Sequence, residues 1–339
     1  MSRKVRLLIL IVVCAVAITV STVYVLESRS RHAGAARSVP LLSQTSRATI
    51  EDGARIVFEH TGLGSDFGRV AMVSLDHPGG QRAMTDTSCE RVTATDSLQL
   101  CLSADRGMLT TYAATVTGPD GRADLPLPGI PNRARLSPDG RYAATTSFVS
   151  GDSYAAASFS TRTMITDLET GASTDLEEYE LVHQDQPIRP VDRNFWGVTF
   201  VPQNTSRFFA TVAWRGETWL VEGDIEDRQM KTVRADAECP SISPDGRSLV
   251  YKKRAERTPG DWRLVRLDLQ YGVETLLAET RSVDDQVEWL DEEHVIYGIP
   301  REGDQAAITD VYVLPVDGVG EPVLLIEQAW SPTVVTSGT

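Results

Sequence analysis

The chain reads as an all-β fold: a six-bladed β-propeller of four-stranded blades, closed by the C-terminal strand and preceded by one N-terminal transmembrane helix. Three observations point there. An uncharged run of twenty residues lies near the N-terminus, a hairpin motif recurs about every 40–50 residues, and a lone strand ends the chain without a partner after it.

The N-terminal element comes first. Arg3, Lys4 and Arg6 precede Leu7 to Leu26, which carries no charge. Twenty apolar residues in a helix span a hydrocarbon core of about 30 Å, and the basic cluster puts the N-terminus in the cytoplasm. Residues 1–31 are expected to be a cytoplasmic stub and signal-anchor helix, 32–48 a short linker, and 49–339 the propeller. A cleavable signal has a shorter apolar core, about 7–15 residues. The small-residue site Ala33-Gly34-Ala35 lies well past the run, so a retained single-pass anchor is preferred; cleavage would leave the propeller secreted. No cytoplasmic output domain is expected.

Charge narrows the partners. The chain has 33 Lys+Arg against 47 Asp+Glu, a net charge of −14, and residues 1–31 hold five basic residues and one acidic one. The part outside the membrane therefore carries −18. Such a domain stands off an anionic lipid surface and is a poor ligand for nucleic acid.

An oxidising compartment permits disulfides. Cys89 and Cys101 flank Ala94-Thr95-Asp96. With that three-residue loop, residues 93 and 97, 91 and 99, and 89 and 101 lie opposite one another, which predicts a cross-strand Cys89–Cys101 bridge. Two buried thiols are the alternative. Cys239 is left unpaired and in the core.

The repeat sets the architecture. Arg135-Leu-Ser-Pro-Asp-Gly-Arg-Tyr-Ala-Ala144 and Ser241-Ile-Ser-Pro-Asp-Gly-Arg-Ser-Leu-Val250 share an alternating run, a proline that closes it, an Asp-Gly turn and a second alternating run. Weaker copies begin at Val92, Phe200 and Trp289. A second hairpin type turns at Asp76, Asp120, Asp167, Asp224, Asp268 and Asp317, at gaps of 44, 47, 57, 44 and 49 residues. Two hairpins per unit make a four-stranded blade. The unit at 54–87 lacks an inner strand, and 329–335 is an inner strand alone, so the C-terminal strand is expected to complete the first blade and hide both edges.

These segments carry a resemblance. The Ser-Pro-Asp-Gly-Arg copies resemble the WD40-like repeat of TolB-type β-propellers. Ser158 to Thr163, Asp192 to Phe200, Glu238 to Ser241 and Ser282 to Leu290 resemble segments of secreted TolB-like propellers from actinobacteria. The likeness covers about residues 50–336. It implies an extracytoplasmic six-bladed propeller that binds something. TolB proper has an α/β domain before its propeller and works with the Tol-Pal system; only a linker stands here, so that role is not carried over.

Catalytic signatures are missing from the sequence. There is no Gly-x-Ser-x-Gly elbow, His-Glu-x-x-His, Cys-x-x-Cys or phosphate-binding loop. The Asp-Gly turns supply one carboxylate each, too few for calcium. Asp284, Asp285 and Glu288 are the carboxylates a channel-mouth metal would use, although a solvated turn and strand start is the plainer reading. No metal and no cofactor is expected. Two segments exceed the blade template, 149–160 and 182–193, and long loops on a rigid ring are where binding concentrates. Tyr154, Arg189, Arg193 and Trp196 have the Arg/aromatic character of interface anchors, while Phe195 and Trp196 also fit an inner strand packed between blades. The expected function is a membrane-anchored, non-enzymatic module for an envelope protein or cell-wall ligand; the alternative is a metal-dependent hydrolase or lactonase with its site in the channel.

Overall fold

The computed structural model describes residues 3–38, 42–149, 160–254 and 261–336. Its helix α1 (Arg3–Ser38) contains Ile9–Glu27, long and apolar enough to cross a membrane, and continues into the stretch read as linker. Beyond it, Thr45 N–H donates to the Arg82 carbonyl, so the chain is attached to the ring before its first strand.

Six sheets follow, antiparallel except for one strand pair in the fourth. Blade 1 holds β1 (Arg55–His60), β2 (Arg69–Ser74) and β3 (Ala83–Ser88). Blade 2 is β4 (Arg91–Ala94), β5 (Gln99–Arg106), β6 (Thr110–Gly118) and β7 (Gly121–Leu125). Blade 3 is β8 (Ile130–Leu136), β9 (Tyr142–Val149), β10 (Ser160–Asp167) and β11 (Ser173–Asp175). A hairpin of β12 (Glu180–His183) and β13 (Gln186–Ile188) precedes blade 4, which is β14 (Asn194–Phe200), β15 (Arg207–Trp214), β16 (Glu217–Asp224) and β17 (Gln229–Ala235). Blade 5 is β18 (Glu238–Ile242), β19 (Ser248–Arg254), β20 (Trp262–Asp268) and β21 (Glu274–Leu276). Blade 6 is β22 (Glu288–Trp289), β23 (His294–Pro300), β24 (Thr309–Pro315) and β25 (Val323–Ile326). The last strand, β26 (Ala329–Val335), pairs antiparallel with β1 as the innermost strand of blade 1, so the C-terminus closes the ring as the repeat count required. The inner strands neighbour one another in the cycle β26, β4, β8, β14, β18, β22 and back to β26.

Turn chemistry explains why these segments form hairpins. In blade 3, Ser137 Oγ donates to Asp139 Oδ1 (2.5 Å) and accepts from Tyr142 N–H (2.8 Å), and Asp139 accepts from Arg141 N–H. Blade 5 repeats the set with Ser243, Asp245, Arg247 and Ser248. Gly140 and Gly246 take φ of 73° and 72°, a left-handed conformation that favours glycine. The outer turns use another device. Asp167, Asp224, Asp268 and Asp317 each accept two backbone N–H groups within three residues, which fixes the turn without a metal.

The core is repeated around the ring. Leu100, Val116 and Ala143 pack between blades 2 and 3, Phe195 and Tyr142 between 3 and 4, Phe209 and Tyr251 between 4 and 5, and Val250 and Tyr297 between 5 and 6. Ile56 meets Ile296 between blades 6 and 1, and Val57 meets Val92 between 1 and 2. Each sheet buries both faces on its neighbours, so no blade has a core of its own.

Two readings need correction. The Cys89–Cys101 disulfide is present, but not across the expected register. The hairpin turn is Thr95 to Leu98, closed by Thr95 N–H to the Leu98 carbonyl, so Cys101 faces Val92. Cys89 lies in the crossover between β3 and β4, and the bridge ties that crossover to β5. Closing a loop of 12 residues is expected to contribute about 3 kcal/mol. A Cys89→Ala/Cys101→Ala double variant should lose that much in urea titrations, and an unchanged midpoint would contradict it. The second correction concerns 182–193. Its first part is a hairpin, not a protruding loop: β12 pairs parallel with β17 and extends blade 4 to six strands on its outer edge. Leu181 joins the core, and the His183 ring stands edge-on to Trp214 and Trp219.

Candidate functional site at the channel mouth

Strands alternate in direction within each blade, so the turns between second and third strands share one face of the ring with the crossovers between blades. Asp192, just before β14, lies on that face: its carboxylate accepts from Arg215 N–H in the turn between β15 and β16 (2.7 Å). β9 ends there at Val149 and β10 starts there at Ser160; Tyr154 lies outside the described residues. Arg189 is exposed on the return from β13. Arg193 is largely buried and held by the carbonyls of Pro190 (2.8 Å) and Glu177 (3.1 Å) and by the Glu177 carboxylate (3.4 Å). Trp196 is half-buried on inner strand β14. The structure does not bring these residues into one described cluster.

The channel opens on the same face, where the inner strands begin, and its mouth is charged. Arg91 starts β4, Arg133 and Arg135 sit two residues apart on β8, and the crossover before β22 brings Asp284, Asp285 and Gln286. Gln286 Nε2 donates to the Val198 (3.1 Å) and Pro240 (2.7 Å) carbonyls, pinning that crossover to blades 4 and 5. Arg91 Nη1 meets Asp285 Oδ1 at 2.8 Å, with its guanidinium over the Trp330 ring at 4.6 Å. Burial lowers the Arg91 pKa and Asp285 opposes the shift. Arg135 pairs with Glu288, and Lys252 meets Asp284 at 2.6 Å while lying over Trp262. The backbone is shaped for close approach here: Gly197 has φ 67°, and a Cβ on it would stand 2.8 Å from Cys239 Cα. Cys239 is a buried free thiol, as expected.

The arrangement bears on chemistry. Each carboxylate considered for a metal is held by a cation, and among the described residues no three His, Cys, Asp or Glu side chains group as metal ligands. The arginines escaped sequence reasoning. Their signal is Arg133-Ala-Arg135, two charges on one side of a strand expected to be internal.

Glu59 borders this network. Burial, reinforced by Glu90, pushes its carboxyl from 4.5 up to about 8, against Arg91 and Arg106. The folded state thus holds this proton more tightly than the unfolded chain, and stability falls as pH rises between those values. Ionised Glu59 should cost on the order of 5 kcal/mol. Glu59→Gln is expected to raise the melting temperature at pH 8.5 and leave it unchanged at pH 4.5; an equal effect at both would contradict the assignment.

No family model and no curated protein matches the chain. Solved structures do. TolB from Acinetobacter baumannii superposes with a TM-score of 0.62 at 15% identity, over 84% of this chain and 67% of that one. A puromycin-hydrolyzing peptidase of Mycobacterium tuberculosis gives 0.51 at 12% identity, over 85% of this chain but only 45% of its own. At such identities the likeness is one of fold: the chain is a TolB-like six-bladed β-propeller with one apolar N-terminal helix.

Proposed function

We propose that this protein is a membrane-anchored, extracytoplasmic binding module that presents the crossover face of its ring to an envelope protein or cell-wall ligand and catalyses no reaction. The observation that supports it is the channel mouth, where charged side chains pair with one another on rigid inner strands. Such groups recognise polar ligands; none is a nucleophile beside a base. The TolB-like fold and the apolar helix agree with this reading. No observation favours a channel hydrolase, whose carboxylates would first have to leave Arg91, Arg135 and Lys252.

The test is crosslinking in intact cells followed by purification of the full chain through a C-terminal tag. A reproducible envelope component is expected, lost when residues 150–159 are shortened. An eluate with this chain alone, or a component indifferent to that change, would overturn the reading.

A further inference from the structure

The channel mouth has one cation more than its carboxylates answer. Arg91, Arg135 and Lys252 each have an acidic partner, whereas Arg133 has no ion pair among the described residues. It is 8% exposed. Its guanidinium donates to two backbone carbonyls, Asn132 at 3.0 Å and Asp284 at 3.3 Å, and is hydrogen-bonded to the Cys239 side chain, with the Asp285 and Asp284 carboxylates nearby. Beside it lies a cavity of 20 Å³ lined by Arg91, Arg133, Arg135, Asp285, Ser331 and Thr333, among others, with room for about one or two water-sized groups. Three buried polar atoms of these residues, Nε of Arg133, Nε of Arg135 and Oδ2 of Asp285, have no hydrogen-bond partner in the protein. Buried donors and acceptors left unmatched are costly.

The pattern selects a ligand. The local charge of the three arginines and Lys252 against Asp284, Asp285 and Glu288 is one positive, within a chain whose net charge is −14. Two unmatched donors ask for an acceptor, and Asp285 asks for a donor close by. We propose that this cavity seats the two oxygens of one carboxylate whose ligand carries an N–H or O–H on a neighbouring atom outside it: the C-terminal residue of a peptide, or a small hydroxy acid. Arg133 supplies the charge in excess of the local carboxylates, Arg135 the second donor, and Asp285 accepts from the adjacent N–H or O–H. The proposal rests on the crossover face being the binding face and gives the chemistry recognised at its centre.

Calorimetric titration of the full chain in detergent tests it. Alanyl-alanine should bind, its C-terminal amide at least tenfold more weakly, and Arg133→Gln should lose at least tenfold for the acid and little for the amide. Arg133→Lys keeps the charge without the fork and should retain part of the preference. L-lactate separates the sources: affinity equal to alanyl-alanine indicates a small acid, and weaker affinity a peptide terminus. Acid and amide binding alike in the unaltered chain, or no binding of either acid at about 10 mM, overturns the proposal without any variant. If an envelope component is captured through this face but no carboxylate binds, only the cavity assignment fails. If carboxylate binds and nothing is captured, the binding-module reading fails and the cavity stands.

Discussion

Truncation after Gln328 is expected to unfold the ring, not merely fray it. The lost strand β26 pairs with β1 from Arg55 to His60 and is the innermost element of blade 1. Ala329 and Val335 are buried in two different interblade clusters, at the junctions of blade 1 with blades 6 and 2. Thr333 and Ser331 contact the channel groups of blades 2 and 6, and Trp330 carries the Arg91 guanidinium. About five backbone hydrogen bonds at about 1 kcal/mol each, with about 2–3 kcal/mol of apolar burial, reach the whole stability of an ordinary domain, about 5–15 kcal/mol. The inner edge of β1 would also open to water. A chain ending at Gln328 should show no cooperative thermal transition and rapid proteolysis. Retention of the parent melting temperature would refute the seam's role.

Asp285→Ala is expected to be the most damaging single substitution at the channel mouth. Asp285 is 2% exposed, and its partner Arg91 is held between it and Trp330. Removing the carboxylate leaves Arg91 charged without its ion-pair partner, a change that costs about 3–5 kcal/mol when a buried pair is broken from one side. For a ring of this size that is a fall of about 6–12 °C in melting temperature. The charge is the cause rather than the lost volume, so Arg91→Met combined with Asp285→Leu should recover most of the loss. A double variant no better than Asp285→Ala alone, in urea midpoints measured at pH 7, would refute that account.

The fold was legible because its determinants are local. Ser137 and Asp139, like Ser243 and Asp245, act over two to five residues, and a motif of that span repeats visibly. The outer aspartates behave likewise. The disulfide was legible as a pair but not as a geometry, because its register turned on one residue of loop length: Leu98 closes the turn, and Cys89 falls outside the strand. The site was much harder to see. Arg91 and Asp285 meet across 194 residues, and Arg133 reaches a carbonyl 151 residues away. Neither residue stands out in its own segment, since a charge on an inner strand matters only once the ring turns that strand toward the channel. The β12–β13 hairpin was hidden for another reason: its partner β17 follows it in sequence and pairs in parallel, a contact that no local pattern announces.

The seam at β1 and β26 also orders events in time. A ribosome adds about 5–20 residues each second, so β1 emerges about 15–50 s before the strand that must lie beside it. Throughout that interval, blade 1 offers its inner edge to any extended chain nearby, the nascent one included. Closing so long a loop carries an entropic cost that grows only slowly with length, so delay, not thermodynamics, is the hazard. The newborn chain should therefore depend on a holding chaperone until its last strand arrives, and a permuted chain that begins with β26 should not.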